Sequence, residues 1–514
     1  MKNILIAIRS IFKKGRHNVM KIVSLGIGLA VGLVLIAKVY FEQSYDDFYP
    51  DRDRVYQVWA KYQQNGGELK DYPQTSGGIA PTMQQQIPEI ETVTRYTSFG
   101  DWTFTMTDTK MKYSGRCIIA DSCFFDILPR PMLIGNAKEV LSIPMYVLVS
   151  SRIAKNIGGD VIGKNFTVDS SPGRTMTIGG VFEEVPENSH SRYDVIVSMA
   201  SAGRFMWEGS PTNMLGNDRY ISYVKLHKGV NPLALEEQVH TFVNSYFPPE
   251  EQQKTGFNIG FSFHELDGLH KELPQVKRMT WILSLLAFAL IFTAVMNYIL
   301  IVISSIVNRS KEVAVHKCYG ASENNIHGMM FGEALVHIVL SLILALLLIL
   351  AFRGTVEELL ATSLDSLLLS NGSLVLLGIC ILVFFVSGFM PGSLYARIPV
   401  ASAFRNYREN KRIWKKALLL VQFVATGFLV TMLVFVARQY TFMVNDRPGY
   451  AYENLAYCGL AGVDSTSRAK ILDEVMRLPG VVAAINCLSS MLPVIIFFYR
   501  VRLKSFLISP ISIG

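Results

Sequence analysis

The chain has 514 residues, half of them hydrophobic, a formal net charge of +8 and six cysteines. Its mean hydropathy is +0.30, high for a water-soluble protein. The cysteines show neither metal-type spacing nor a disulfide framework, so no metal site is expected.

The apolar residues cluster in five runs, at 22–41, 281–303, 331–352, 373–396 and 417–437. Each is close to the roughly 20 residues that cross a hydrocarbon core of about 30 Å. The fold class expected is an α-helical polytopic membrane protein with a mixed α/β extracytoplasmic domain.

Residues 1–21 form a basic lead in which Ile4, Ile8, Ile11 and Phe12 recur at helical spacing, as in an interfacial helix. The first span, 22–41, lacks a small-residue cleavage site and reads as a retained anchor. Gly26, Gly28 and Gly32 lie inside it, where small residues allow close helix packing.

Residues 42–277 are expected to form an extracytoplasmic α/β segment, with material for two subdomains. Strands are expected over 55–62, 102–106, 174–182 and 220–226, and helices over 80–86 and 232–246. Cys117 and Cys123 lie here. A disulfide between them and two free thiols both fit the spacing. The stretch 158–165, GGDVIGKN, nearly spells a phosphate loop. Its last residue, Asn165, lacks the magnesium-binding hydroxyl, and the residues after Lys164 read as strand where a phosphate loop needs helix. A turn before a strand is the reading preferred. His190 and Asp194 are neighbours in sequence, but no nucleophile accompanies them.

Residues 281–396 carry spans two to four. Asn297, Glu333 and His337 are the candidate intramembrane polar residues, since ionisable groups in spans are candidate functional sites. A proton relay is one role for Glu333; reaching the headgroups is the other. The fourth span is expected to kink or stop at Pro391-Gly392. A basic linker, 397–416, leads to the fifth span, 417–437, and to 438–489, the start of a second extracytoplasmic domain.

Basic residues precede the first span, follow the second and separate the fourth from the fifth, whereas 353–365 is mostly acidic. This alternation places the N-terminus in the cytoplasm. The basic runs lack interleaved aromatics and abut spans, which argues against a nucleic-acid partner.

The second half echoes the first. Ile87-Pro88 and Leu478-Pro479 each follow a predicted helix and lie a similar distance past a span. A duplicated architecture is expected. The tail, 490–514, mixes apolar and basic residues and reads as an aberrant or truncated end.

The segment 308–322, NRSKEVAVHKCYGAS, sits between spans two and three. It closely resembles the RxKEIGVRKxxGAS signature of MacB/FtsX-type ABC permeases. The order of span, outside domain and three spans is also theirs. The stretch 186–190, PENSH, resembles a segment of their periplasmic core domain. Residues 44–48, SYDDF, with 53–56, DRVY, resemble that domain's entry. Residues 421–423, VQF, resemble the start of the second-half span in duplicated eight-span members. His316, Cys318 and Tyr319 depart from the signature.

The resemblance implies a permease subunit that is not itself an enzyme, with no cofactor, whose ATPase is a separate cytoplasmic subunit, a dimer in action. It implies a MacB-like periplasmic core domain at 42–277, an FtsX-like permease domain at 281–396, and an eight-span form cut short in its second half. It assigns ATPase coupling to Arg309, Ser310, Lys311, Glu312, Val313, Lys317, Gly320, Ala321 and Ser322. The function implied is export or extrusion of a substrate on the outer side of a bacterial inner membrane. The alternative is a signalling scaffold that activates a periplasmic cell-wall hydrolase or a sensor kinase. A periplasmic adaptor and an outer-membrane channel are further possible partners.

Overall fold

A computed structural model describes residues 17–168, 171–368, 372–396, 413–445, 455–459, 465–489 and 492–499. The expected interfacial helix at 4–12, most of the basic linker at 397–416 and the tail beyond 499 lie outside the described residues.

Two compact units result. The membrane unit comprises the chain through Asp53, the stretch Pro186–His190 and Glu265–Gln439. It contains five helices long and apolar enough to cross a membrane. These are span 1 (Asn18–Gln43), span 2 (Pro274–Ser304), span 3 (Glu323–Ala351), span 4 (Ser373–Ala396) and span 5 (Ile413–Asn445). Each runs a few residues beyond its apolar core because helix geometry continues into the polar flanks.

Spans 1 to 4 share one apolar core that includes Leu25, Leu29, Leu33, Tyr298, Val302, Ile326, Ile338, Val383 and Tyr395. Lipid gives helices no hydrophobic reason to associate, so close van der Waals fit holds them. Glycine provides that fit on span 1. A Cβ at Gly28 would fall on the Cβ of Ala294, and one at Gly32 on the side chain of Ile291, both on span 2.

Span 4 does not stop at Pro391-Gly392. Its helix continues to Ala396 with Pro391 inside. Such a proline is tolerated within membranes because neighbouring helices can satisfy the freed backbone groups. Both residues are buried, and a Cβ on Gly392 would come within 2.7 Å of His327 on span 3.

The second unit comprises Arg54–Val185, Ser191–His264 and the chain from Tyr440 onward. Its first part is an eleven-stranded mixed sheet. The strands are β1 (Val55–Gln64), β2 (Lys70–Tyr72), β3 (Ile90–Met106), β4 (Lys112–Ala120), β5 (Met132–Ile134), β6 (Tyr146–Ser150), β7 (Asn165–Val168), β8 (Ser171–Phe182), β9 (Val195–Ser198), β10 (Ile221–Leu226) and β11 (Phe257–Glu265). The main path is β11-β1-β10-β3-β4-β9-β6-β8-β5, with β2 against β1 and β7 against β3 and β8.

The expected strands and helices all occur, but β3 begins at Ile90, well before the aromatic run at 102–106. Among the described residues, two apolar clusters can be traced along this sheet. One gathers Tyr56, Val58, Val93 and Val224 with Met83, Val239, Phe242 and Val243 from helices Ile79–Gln86 and Glu236–Tyr246. The other gathers Phe104, Ile119, Val149, Phe166, Ile178 and Val197. The 17-residue β3 runs through both clusters, contributing Ile90 and Val93 to the first and Phe104 and Met106 to the second.

The thiols of Cys117 and Cys123 are both free, so no disulfide joins them. The Cys123 thiol instead donates to Val93 O at 3.2 Å.

The chain from Tyr440 contributes a separate three-stranded sheet, in the order β12 (Leu455–Gly459), β14 (Leu492–Tyr499), β13 (Val481–Ser489). Residues 492–499, expected to belong to an aberrant tail, form its central strand, paired antiparallel on both sides. A run such as LPVIIFFY is rich in apolar, β-branched and aromatic residues, which suit a strand paired on both sides. The internal echo is visible here. Helix Ile79–Gln86, Ile87-Pro88 and β3 follow one another as do helix Ser465–Arg477, Leu478-Pro479 and β13.

Candidate functional site

Span 2 ends at Ser304, and after Ser305 the chain re-enters a helix, Ile306–Cys318, here the elbow helix. The bend is held by hydroxyls. Ser305 Oγ donates to Val302 O at 2.6 Å, Tyr395 OH from span 4 donates to the same carbonyl at 3.0 Å, and the two hydroxyls lie 3.1 Å apart. Side-chain donors that take a carbonyl near a helix end relieve groups the bend would leave unsatisfied. Tyr395 is fully buried, so the elbow is fixed to the end of span 4.

The elbow helix has two faces. Ser310, Val313 and Ala314 are buried, and Val313 and Ala314 belong to the core of spans 1 to 4. Lys311, Val315, His316, Cys318 and Tyr319 are exposed, with Glu312 and Lys317 half-buried. Lys311, Val315 and Tyr319 stand at four-residue spacing, one stripe of a helix. Tyr319 is 88% exposed, a large aromatic facing outward beside cationic and acidic groups. The Arg309 side chain lies outside the described set.

The helix ends because Gly320 adopts φ +83°, a conformation glycine takes at little cost. Gly320 N donates to Lys317 O and Ala321 N to His316 O, both at 3.0 Å. Ser322 then caps span 3, its Oγ accepting from Asn325 N at 3.4 Å. The nine residues from Arg309 to Ser322 singled out in the sequence therefore span one short helix, its glycine stop and the next helix's cap.

The intramembrane polar residues are not brought together as one site. Glu333 and His337, one turn apart on span 3, are buried, at 6% and 1% exposure. Glu333 Oε1 lies 3.5 Å from Lys21 Nζ on span 1, and Lys21 also donates to Asn18 Oδ1 at 3.3 Å. Glu333 thus faces a buried cation. Lys21 is itself fully buried; the sequence places it with the basic flank, where lysines are common, and nothing local marks it as different. His337 Nδ1 lies 3.2 Å from Tyr298 OH on span 2. Asn297 points elsewhere: its Oδ1 accepts from Gln422 Nε2 on span 5 at 2.5 Å, which gives the VQF stretch a physical role.

At the opposite end of the spans, two stretches that the sequence leaves 140 residues apart meet. Asp46, buried and at φ +60°, accepts from Ser189 Oγ at 2.9 Å and His190 N at 3.3 Å, and pairs with His190 Nδ1 at 2.8 Å. Asn188 Nδ2 donates to Ser44 O at 2.6 Å. Glu187 Oε2 accepts from Ser363 N at 3.0 Å.

Beside this clamp, Lys38 Nζ pairs with Glu42 at 2.6 Å and donates to Thr362 Oγ1 at 2.8 Å, and His270 Nε2 lies 2.6 Å from Glu42. Lys271 bridges Asp47 and Asp267, each at 2.8 Å. Burial lowers its pKa, but these two carboxylates outweigh that and raise it above the usual lysine value.

Asp194 is paired with Arg152 at 2.5 Å and so is not aligned with His190, which is bonded to Asp46. The stretch 158–165 joins helix Ser151–Ile157 to β7 through a turn. That is the reverse of a phosphate loop's strand-to-helix order. Among the described residues no group of His, Cys, Asp and Glu could hold a metal ion.

Two family models match the chain: the MacB-like periplasmic core domain over residues 20–242 and the FtsX-like permease C-terminal domain over 284–400. No curated protein matches it. Among solved structures, a domain described as part of a permease protein from Porphyromonas gingivalis is 32% identical, covering 42% of this chain and 91% of that one, with a TM-score of 0.39. The extracellular domain of the noncanonic ABC-type transporter YknZ from Gram-positive bacteria is 10% identical, covering 40% and 98%, with a TM-score of 0.29. The two domain matches fall in the order that the spans and the sheet require, and the chain belongs to the MacB/FtsX-type ABC permeases, multi-pass membrane proteins that work with a partner ATPase subunit.

Proposed function

We propose that this permease transmits mechanical work from a cytoplasmic ATPase dimer to its extracytoplasmic domain, and that the elbow helix is the surface the ATPase grips. One observation carries the reading: the same short helix buries Val313 and Ala314 in the core of spans 1 to 4 and exposes Lys311, Val315, His316 and Tyr319. A push on the exposed face is delivered to the packed spans, because a close-packed core shifts as a body and does not absorb the strain. Nucleotide can drive this only if the ATPase contacts the elbow differently in its two states.

In this arrangement the N-terminus and the elbow are cytoplasmic, the membrane is the bacterial inner membrane, and substrate is extruded on its outer side. A periplasmic adaptor or outer-membrane channel would meet the extracytoplasmic domain.

The test is ATPase stimulation in reconstituted membranes. Lys311→Glu combined with Glu312→Lys is expected to lower stimulation by about tenfold, the effect of losing one interfacial anchor, while insertion into the membrane is unchanged. Unaltered stimulation refutes the assignment. Cys318 is exposed; with the other cysteines replaced, an impermeant maleimide should label it in inside-out vesicles and not in intact cells.

A further inference from the structure

Among the described residues β11 is an edge of the eleven-stranded sheet, paired only with β1. An edge strand presents a row of unpaired backbone donors and acceptors, and proteins usually guard such edges with short length, lysine, proline or a bulge. The other edge, β5, is three residues long. β11 is nine residues long, reads FNIGFSFHE and contains neither lysine nor proline.

A groove of about 350 Å³ follows this edge. One wall is five consecutive residues of β11, Ile259–Phe263; the other is Val239, His240 and Val243 of helix Glu236–Tyr246, with Leu233 at its mouth. Side chains of a strand alternate between faces, so five consecutive lining residues mean that the backbone edge itself runs along the groove. Leu233 is 74% exposed. Lys61 and Glu236 also line the groove, and neither forms an ion pair among the described residues.

We propose that this groove is a strand-addition site for an extended polypeptide segment of a partner protein. A small amphiphile could fill the apolar wall but would leave the strand's N–H and C=O groups facing hydrocarbon, which is costly. A peptide strand supplies the matching row, and its alternate side chains enter the apolar wall. The unpaired Lys61 and Glu236 select opposite charges, so the segment is apolar at alternate positions and carries an acidic residue for Lys61. The site lies on the extracytoplasmic domain and does not depend on what grips the elbow helix.

The test uses the full chain in lipid nanodiscs and a displayed library of random nine-residue peptides. Selected peptides are expected to alternate apolar and polar residues and to include Asp or Glu. Binding of the strongest, read by fluorescence anisotropy, should fall at least about tenfold with Leu233→Asp, and should be unchanged by Leu133→Asp, an exposed site outside the groove. N-methylation of alternate peptide residues should abolish binding in one of the two registers and not in the other. Bound peptide should also slow amide exchange within 259–263. A selection without alternation, binding that survives N-methylation in both registers, or indifference to Leu233→Asp overturns the proposal, the first two pointing to a pocket for small apolar molecules.

Discussion

Lys21 and Glu333 offer the sharpest test of how the spans are held. Their charged atoms are 3.5 Å apart on spans 1 and 3, and both side chains are nearly inaccessible. At an effective dielectric of about 20, two unit charges at this distance attract by about 5 kcal/mol. Desolvation consumes much of that, so the pair adds little net stability over an apolar pair of similar size.

Removing one partner is another matter. Lys21→Met or Glu333→Leu alone strands a buried charge and should cost about 3–5 kcal/mol, whereas the double change Lys21→Met/Glu333→Leu should cost about 1 kcal/mol or less. The coupling energy from the double-mutant cycle is then at least about 5 kcal/mol in magnitude. The assay is reversible unfolding in mixed micelles of mild detergent and dodecyl sulfate. Additive single effects, or single changes below about 0.5 kcal/mol, would falsify the burial of this pair and with it the placement of span 1 against span 3.

Other consequences are equally direct. Asp46→Ala removes the acceptor for Ser189 and His190; at about 2 kcal/mol for donors left without a charged partner, amide exchange at His190 should speed up by about 30-fold, and no change in exchange rejects the clamp. Cysteines at Asn297 and Gln422, whose side-chain ends meet at 2.5 Å, should be joined within one chain by a short bifunctional thiol reagent, while pairs displaced by two residues should not.

His264, stacked on Trp59 at 4.2 Å between ring centroids, has its pKa lowered by burial, and by Lys61, against the opposing pull of Asp71. Its folded pKa therefore lies below its unfolded one, near 6.5. The stability this contributes is whole above about pH 6.5 and is lost as pH falls through the folded value. His264→Gln should flatten that acid slope in denaturant titrations of the full chain; an unchanged slope refutes the assignment.

Much of this protein is written in local pattern. Run length alone locates the five spans, because a bilayer demands about 20 apolar residues wherever it is crossed. Alternation and turn residues locate the strands at 55–62 and 220–226, and the glycine stop of the elbow helix and the serine cap of span 3 follow from backbone chemistry at Gly320 and Ser322.

What local pattern lacks is any knowledge of partners. Lys21 looks like every other flanking lysine until Glu333 is folded against it. Tyr395, on a span whose proline suggested an ending, proves to secure the elbow from the other side. Asp46 and the PENSH stretch meet only because the chain returns to the membrane after a long excursion through the sheet. The apolar run at 492–499 becomes a central strand only when 455–459 and 481–489 lie on either side of it. Each of these depends on a group's environment after folding, and burial and pairing are properties of the folded molecule that no window of sequence contains.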